Sequence, residues 1–216
     1  MSIKNESALK VAEFLLQVKA VKLQPNKPFT WASGLHSPIY CDNRVTLSYP
    51  HIRTYIRQEF SRVINENFAK ADVIVGVATG GIAQGALVAQ ELGLPFAYVR
   101  PEPKSHGLGN QVEGVIEKGQ SIVVIEDLVS TGKSSLNAVD ALVHAGGVIK
   151  GMAAIFTYGF NDAAENFKKK NVSLVTLTDY DTLIDQAVRS NYVSEKDLES
   201  LRNWRKDPKA WSENNQ

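Results

Sequence analysis

The stretch "VVIEDLVSTGKSS", residues 123 to 135, sets an apolar run, two adjacent acids, a small hydroxyl-and-glycine turn and a helix-like segment in succession. Glu126 and Asp127 would repel a bare phosphate, but they suit hydrogen bonds from sugar hydroxyls or a facing magnesium ion. After Leu128 and Val129 the residue types change. Ser130, Thr131 and Ser134 offer hydroxyls, and Gly132 lets the backbone turn tightly. The main-chain N–H groups from Val129 through Lys133 open a helix whose dipole favours an anion. A nucleoside-triphosphatase loop is not expected, because Asp127 stands where that motif needs its first glycine. Alone, the turn would read as an ordinary Ser/Thr helix cap. With two acids beside it, it reads as a site for a ribose 5-phosphate.

A second signal is "RPEPKSHGLGNQVEG", Arg100 to Gly114, a long polar segment between two strand-like runs. Loops of this length are usually functional or disordered. Arg100, Lys104 and His106 are cations, and Gly107 and Gly109 are hinges. That is the equipment of a lid closing over a polyanion; the plain alternative is a solvated loop with incidental charge. A third is "GVATGGIAQG", Gly76 to Gly85, where small residues would let main-chain N–H groups approach diphosphate oxygens. Close helix–strand packing explains it equally well.

These groups need a frame. Apolar residues recur at helical spacing from Glu6 to Val21 and from Tyr49 to Phe68. Between them, "PNKPFTWASGLHSPIYCDNR" carries short strand-like pieces at Phe29–Trp31 and Ile39–Cys41. From Asp72 onward, the apolar runs "DVIVGVA", "LPFAYVR", "SIVVIED", "VIKGMAAIFTYG" and "VSLVTLT" are punctuated by helical stretches, among them Lys133 to Ala145. Strands apolar on both faces and alternating with helices predict an α/β fold, a parallel central sheet flanked by helices. Ligands in such sheets sit at the carboxyl ends of the strands, where Glu126, Asp127, Arg100 and the Ala78–Gly81 turn converge. The division expected is an N-terminal helix and hood over 1–48, a core over 49–205 and a loose tail over 206–216, with Trp211 as its one anchor.

Lys plus Arg number 24 against 23 for Asp plus Glu. That balance argues against a nucleic-acid partner held by phosphate contacts. The single cysteine, Cys41, cannot form an internal disulfide and fits a reducing compartment. "MSIKNESALK" has no apolar core of a secretory leader, and no run approaches the ~18 apolar residues of a membrane span. A soluble, cytoplasmic protein with no membrane partner is expected. The histidines His36, His51 and His144 show no metal-ligand spacing, and His144 suits a helix C-terminus.

The acid-and-turn signature resembles that of the type I phosphoribosyltransferases. The lid and "FTWASGLHSPIYCDNR" narrow the resemblance to the orotate phosphoribosyltransferases of pyrimidine biosynthesis. The resemblance implies that Glu126 and Asp127 hold ribose hydroxyls, that Val129, Ser130, Thr131, Gly132, Lys133 and Ser134 wrap the 5-phosphate, and that Leu128 belongs to the same phosphoribosyl diphosphate site. It implies that Arg100, Lys104 and His106 engage the diphosphate of phosphoribosyl diphosphate, with Lys104, His106 and Asp127 the catalytic set. Phe29, Ser33 and Tyr40 fall in the base-binding hood, and Ser130 also touches orotate. It further implies Mg2+ bound mainly through the substrate, and a homodimer with the lid shared across the interface. The chain departs from the enterobacterial pattern: Ala32 and Thr79 stand at lysine positions, Pro101 at a lid lysine, and Tyr158 at an orotate-contacting arginine. Arg44 is expected to supply the missing cation. A purine or uracil transferase, or a regulator that binds the activated sugar without turnover, are the competing readings.

Overall fold

The computed structural model describes residues 6–31, 33–68, 70–102 and 111–215. The chain runs α1 (Glu6–Gln17), β1 (Val21–Leu23), β2 (Phe29–Thr30), β3 (His36–Ser37) and β4 (Ile39–Cys41). A 3₁₀ turn, Asn43–Ser48, leads into α2 (Pro50–Asn67), β5 (Val73–Val77), α3 (Gly80–Leu92), β6 (Phe96–Val99) and β7 (Val112–Glu113). Next come β8 (Ser121–Val129), α4 (Lys133–His144), β9 (Val148–Thr157), α5 (Asn161–Lys169), β10 (Leu174–Asp179) and α6 (Tyr180–Arg189). The short helices α7 (Leu198–Lys206) and α8 (Pro208–Asn214) complete it.

The central sheet has the order β10-β9-β8-β5-β6-β7. Its pairs are parallel except for β7, which returns antiparallel on β6. β5 is buried along its whole length, as a strand covered on both faces must be. Two apolar clusters do the covering. One joins α1, α2, α3 and α6 to the hood and to Trp204; the other seats Leu136, Val139 and Leu142 of α4 and Phe167 of α5. The expected α/β architecture is the one observed.

Two expectations need correction. The first helix ends at Gln17, and Lys19 takes a left-handed turn at φ 57. The chain then reverses so that Val21 and Leu23 form β1, paired antiparallel with β4. Val18 and Val21 prolong the helical apolar period while serving the hood. The tail is not loose either: Asp207 caps α8 by accepting from Ala210 N, and Pro208 occupies the first turn. Trp211 is buried, its Nε1 donating to Ser200 Oγ at 3.0 Å, and His36 N donates to Ser212 Oγ at 2.8 Å. The C-terminal helix therefore clasps the hood. His144 lies in the last turn of α4 as expected, with Nδ1 2.6 Å from Asp140 O.

Candidate active site

Pairing between β5 and β8 stops at Gly76–Ile125, while β8 keeps pairing with β9 as far as Val129–Thr157. β8 thus outruns one neighbour, and a gap opens where β5 has turned away into α3. This is the crevice that parallel sheets offer at their carboxyl ends.

Glu126 and Asp127 occupy that projecting stretch inside the strand, so alternation sends their side chains to opposite faces. Glu126 is buried against α4: Ser135 Oγ donates to Oε2 at 2.8 Å, and Asp127 N donates to Oε1 at 3.0 Å. Burial first, and the Asp127 charge second, push its carboxyl up to about 8. Asp127 faces the other way, over the start of α3. A Cβ on Gly80 would collide with the Asp127 carboxyl group, and one on Gly81 would strike Ile125 O. The paired grip expected of the two acids is therefore split. Asp127 faces the crevice, and Glu126 is turned into the fold behind it.

The same gap leaves the Asp127 carbonyl without a strand partner on the β5 side. Asn43 of the hood supplies one, Nδ2 donating to Asp127 O at 2.6 Å. Asn43 is itself buried, and Cys41 Sγ lies 3.4 Å from its Oδ1. Desolvation, followed by the Asp127 and Asp42 charges, pushes the Cys41 thiol up, which keeps it protonated and unsuited to act as a nucleophile. Asn43 was not among the residues expected from sequence. Its only signal there is its place within the hood motif, because its partner lies 84 residues away.

The turn after β8 meets the requirement for an anion site. Gly132 is the N-cap of α4 with φ 76, and no side chain caps the helix. The first-turn N–H groups are thus free of a side-chain acceptor, at the positive end of a twelve-residue helix. The turn is braced from behind by Asn166 Nδ2 on Thr131 O at 3.1 Å and Thr157 Oγ1 on Val129 O at 3.1 Å. Val129 is fully buried and Leu128 packs against the core, so these two belong to the strand that carries the cradle. Ser130 to Ser134 span the turn itself and the uncapped start of the helix.

Arg100 follows β6, with its guanidinium Nη1 3.5 Å from Glu113 Oε1. Its N–H donates to Gln111 O at 2.9 Å, and Gln111 Nε2 donates back to Arg100 O at 2.8 Å, so the two residues are joined by a pair of hydrogen bonds. Lys104 and His106 lie outside the described residues, as does Ala32. Arg44 is already engaged: Nε and Nη2 donate to the two Asp42 oxygens at 2.7 and 3.0 Å. Tyr158 is buried in an aromatic cluster, stacked on Phe160 at 5.4 Å. In the hood, Phe29 and Tyr40 lie with ring centroids 5.8 Å apart. Between hood, phosphate turn and α7 lies a cavity of about 530 Å³ lined by Trp31, Ser130, Gly159, Phe160 and Arg205 among others. A larger hollow of about 790 Å³, between β7 and α4, is lined by neither Glu126 nor Asp127.

Residues 48–182 match the model of the phosphoribosyl transferase domain family. An orotate phosphoribosyltransferase of Porphyromonas gingivalis is 58% identical over 201 residues, covering 93% of this chain and 96% of its own. One of Listeria innocua is 52% identical over 211 residues, covering 98% and 99%. Among solved structures, an orotate phosphoribosyltransferase of Aeropyrum pernix superposes with a TM-score of 0.73 at 29% identity, over 85% of this chain and 99% of its own. Leishmania donovani UMP synthase shares the fold with a TM-score of 0.77 at 24% identity, over 91% of this chain and 42% of its own. A split carboxylate pair beside an uncapped helix is thus embedded in a sequence matched almost end to end by these relatives, and the chain belongs to the orotate phosphoribosyltransferase family.

Proposed function

We propose that the protein transfers the 5-phosphoribosyl group from phosphoribosyl diphosphate to orotate, giving orotidine 5′-monophosphate and diphosphate in UMP biosynthesis. The observation that carries this reading is the placement of Asp127. Its carboxylate stands beside the Gly80 turn, on the strand that runs on into the uncapped start of α4. A pentose whose hydroxyls donate to Asp127 would present its 5-phosphate to the Ser130–Ser134 turn.

The bond from ribose C1 to diphosphate breaks as a bond to an orotate ring nitrogen forms, and the nitrogen loses its proton. Positive charge grows on the ribose ring and negative charge on the leaving group. Catalysis of such a step rests on positioned electrostatics more than on a strong base. Asp127 holds the ribose and favours the cationic ring. Arg100, Lys104 and His106 stabilise the departing diphosphate, with lid closure excluding the water that would hydrolyse the activated sugar. Among the described residues, no three His, Cys, Asp or Glu side chains gather to hold a metal ion. Magnesium carried by substrate phosphates needs only one or two carboxylates, and Asp127 would supply one. When bound, the ion neutralises negative charge on the diphosphate.

We place the reaction in the cytoplasm and in a homodimer whose lids reach the neighbouring site. The lone thiol fits a reducing compartment, and no described helix is long and apolar enough to cross a membrane. The test is an ultraviolet assay of orotate consumption with phosphoribosyl diphosphate and magnesium, run beside uracil and the purine bases. Orotate-dependent release of diphosphate is expected. Turnover of another base in preference to orotate would overturn the reading, and binding of the activated sugar without turnover of any base would favour a regulator.

A further inference from the structure

The cavity between the hood and the phosphate turn has a cation in its wall that the mechanism above does not use. Its volume, about 530 Å³, is in the range of small-molecule sites. Trp31 and Phe160 give it flat apolar surface, and Ser130 joins it to the phosphate turn. Arg205 enters from α7, near the end of the chain. Its Nη1 donates to Gly159 O at 3.0 Å, and its Nη2 lies 3.4 Å from Asp181 Oδ2. Two contacts on different elements hold the guanidinium, so little side-chain freedom remains to be lost when a ligand docks. The side chain is 32% exposed.

Orotate differs from uracil by one carboxylate. Selecting it requires a cation beside a flat, partly apolar slot, and a planar guanidinium matches a carboxylate fork to fork. Arg44 does not meet that need: it is not among the residues lining the cavity, and both Asp42 oxygens hold its fork at 2.7 and 3.0 Å, whereas Arg205 lines the cavity and meets one carboxylate oxygen at the longer distance of 3.4 Å. The acids in the same wall are Asp162 and Asp207, and Asp207 is occupied in capping α8. Lys206 adjoins the cavity too, but Arg205 is the cation fastened to the carbonyl at the end of β9.

We infer that Arg205 is the specificity-determining residue of the base site, pairing with the carboxylate of orotate and of the orotidine product. This assignment rests on the proposed transferase function. The competing account makes Arg205 a tether between α7 and the β9–α5 connection, with no contact to ligand.

Affinities for orotidine 5′-monophosphate and uridine 5′-monophosphate, which differ only in the carboxylate, separate the two. They would be measured by calorimetry on the wild type and on Arg205→Gln, which keeps a donor for Gly159 O but loses the charge. The wild type is expected to prefer the orotidine nucleotide. Arg205→Gln should weaken that nucleotide about 30-fold or more and leave the uridine nucleotide within about threefold. Arg205→Lys should recover part of the preference. A variant that keeps the wild-type preference, or loses both nucleotides equally, overturns the assignment in favour of the tether. A wild type with no preference overturns the proposed function itself, and the assignment with it.

Discussion

Glu126 and Asp127 are adjacent in the chain and parted by the alternation of the strand. Asp127 faces the crevice; Glu126 is buried behind it, its carboxyl pushed up to about 8 by desolvation and then by the Asp127 charge. The sign of the consequence is fixed by linkage. Between the ordinary value of 4.5 and about 8 the folded state holds a proton that the unfolded chain has released. Stability contributed by this group is full below that window and falls as the pH rises through it. The wild type should therefore lose unfolding free energy relative to Glu126→Gln between the two ends, measured by urea denaturation at each pH. Parallel curves would contradict the burial of an acid at this position. The acids were legible in sequence, but their division of labour was not, because the apolar run stops at Ile125 while the strand continues. What extends it is pairing with β9 up to Thr157, a contact between residues far apart in the chain.

At the scale of elements, the hood is held by packing that no local pattern announces. Trp204 of α7 is fully buried, with ring centroids 5.7 Å from Trp31, 5.5 Å from Tyr158, 5.6 Å from Phe160 and 5.2 Å from Tyr180. One indole thus fastens α7 to the hood, to the end of β9 and to α6. Trp204→Ala should cost about 3–5 kcal/mol of stability, read from the denaturation midpoint at unchanged slope. A loss below about 1 kcal/mol would mean that α7 is not part of the same core. The cap and first turn of α8 were written in "DP", the usual Asp N-cap and leading proline, but its docking on the hood was not. Sequence periodicity locates helices and strands; it does not say which surfaces meet. For the same reason Asn43, whose side chain completes the backbone of Asp127, passed unnoticed.

For the whole molecule, the parallel sheet was readable because its strands are largely apolar runs alternating with helical stretches. Of the charged loop expected to serve as a lid, Lys104 and His106 lie outside the described residues, and its two ends are joined at Arg100 and Gln111. If each lid serves the neighbouring site, two inactive proteins should repair one another. Lys104→Ala lacks the lid cation and Asp127→Asn the ribose acid, so a reassociated mixture should regain turnover in the site of the mixed dimer that carries neither change. Activity no higher than either parent would contradict the shared lid. The central claim is narrower: the Asp127 carboxylate, set beside the Gly80 turn on the strand that leads to the uncapped start of α4, binds the activated sugar. Its most direct test is a calorimetric titration of phosphoribosyl diphosphate with magnesium into the wild type and Asp127→Asn, a change that keeps the shape and removes the charge. Weakening of about 10- to 100-fold, with the melting temperature little changed, is predicted from the loss of hydrogen bonds to a charged acceptor. Equal affinity in the two proteins would contradict the account.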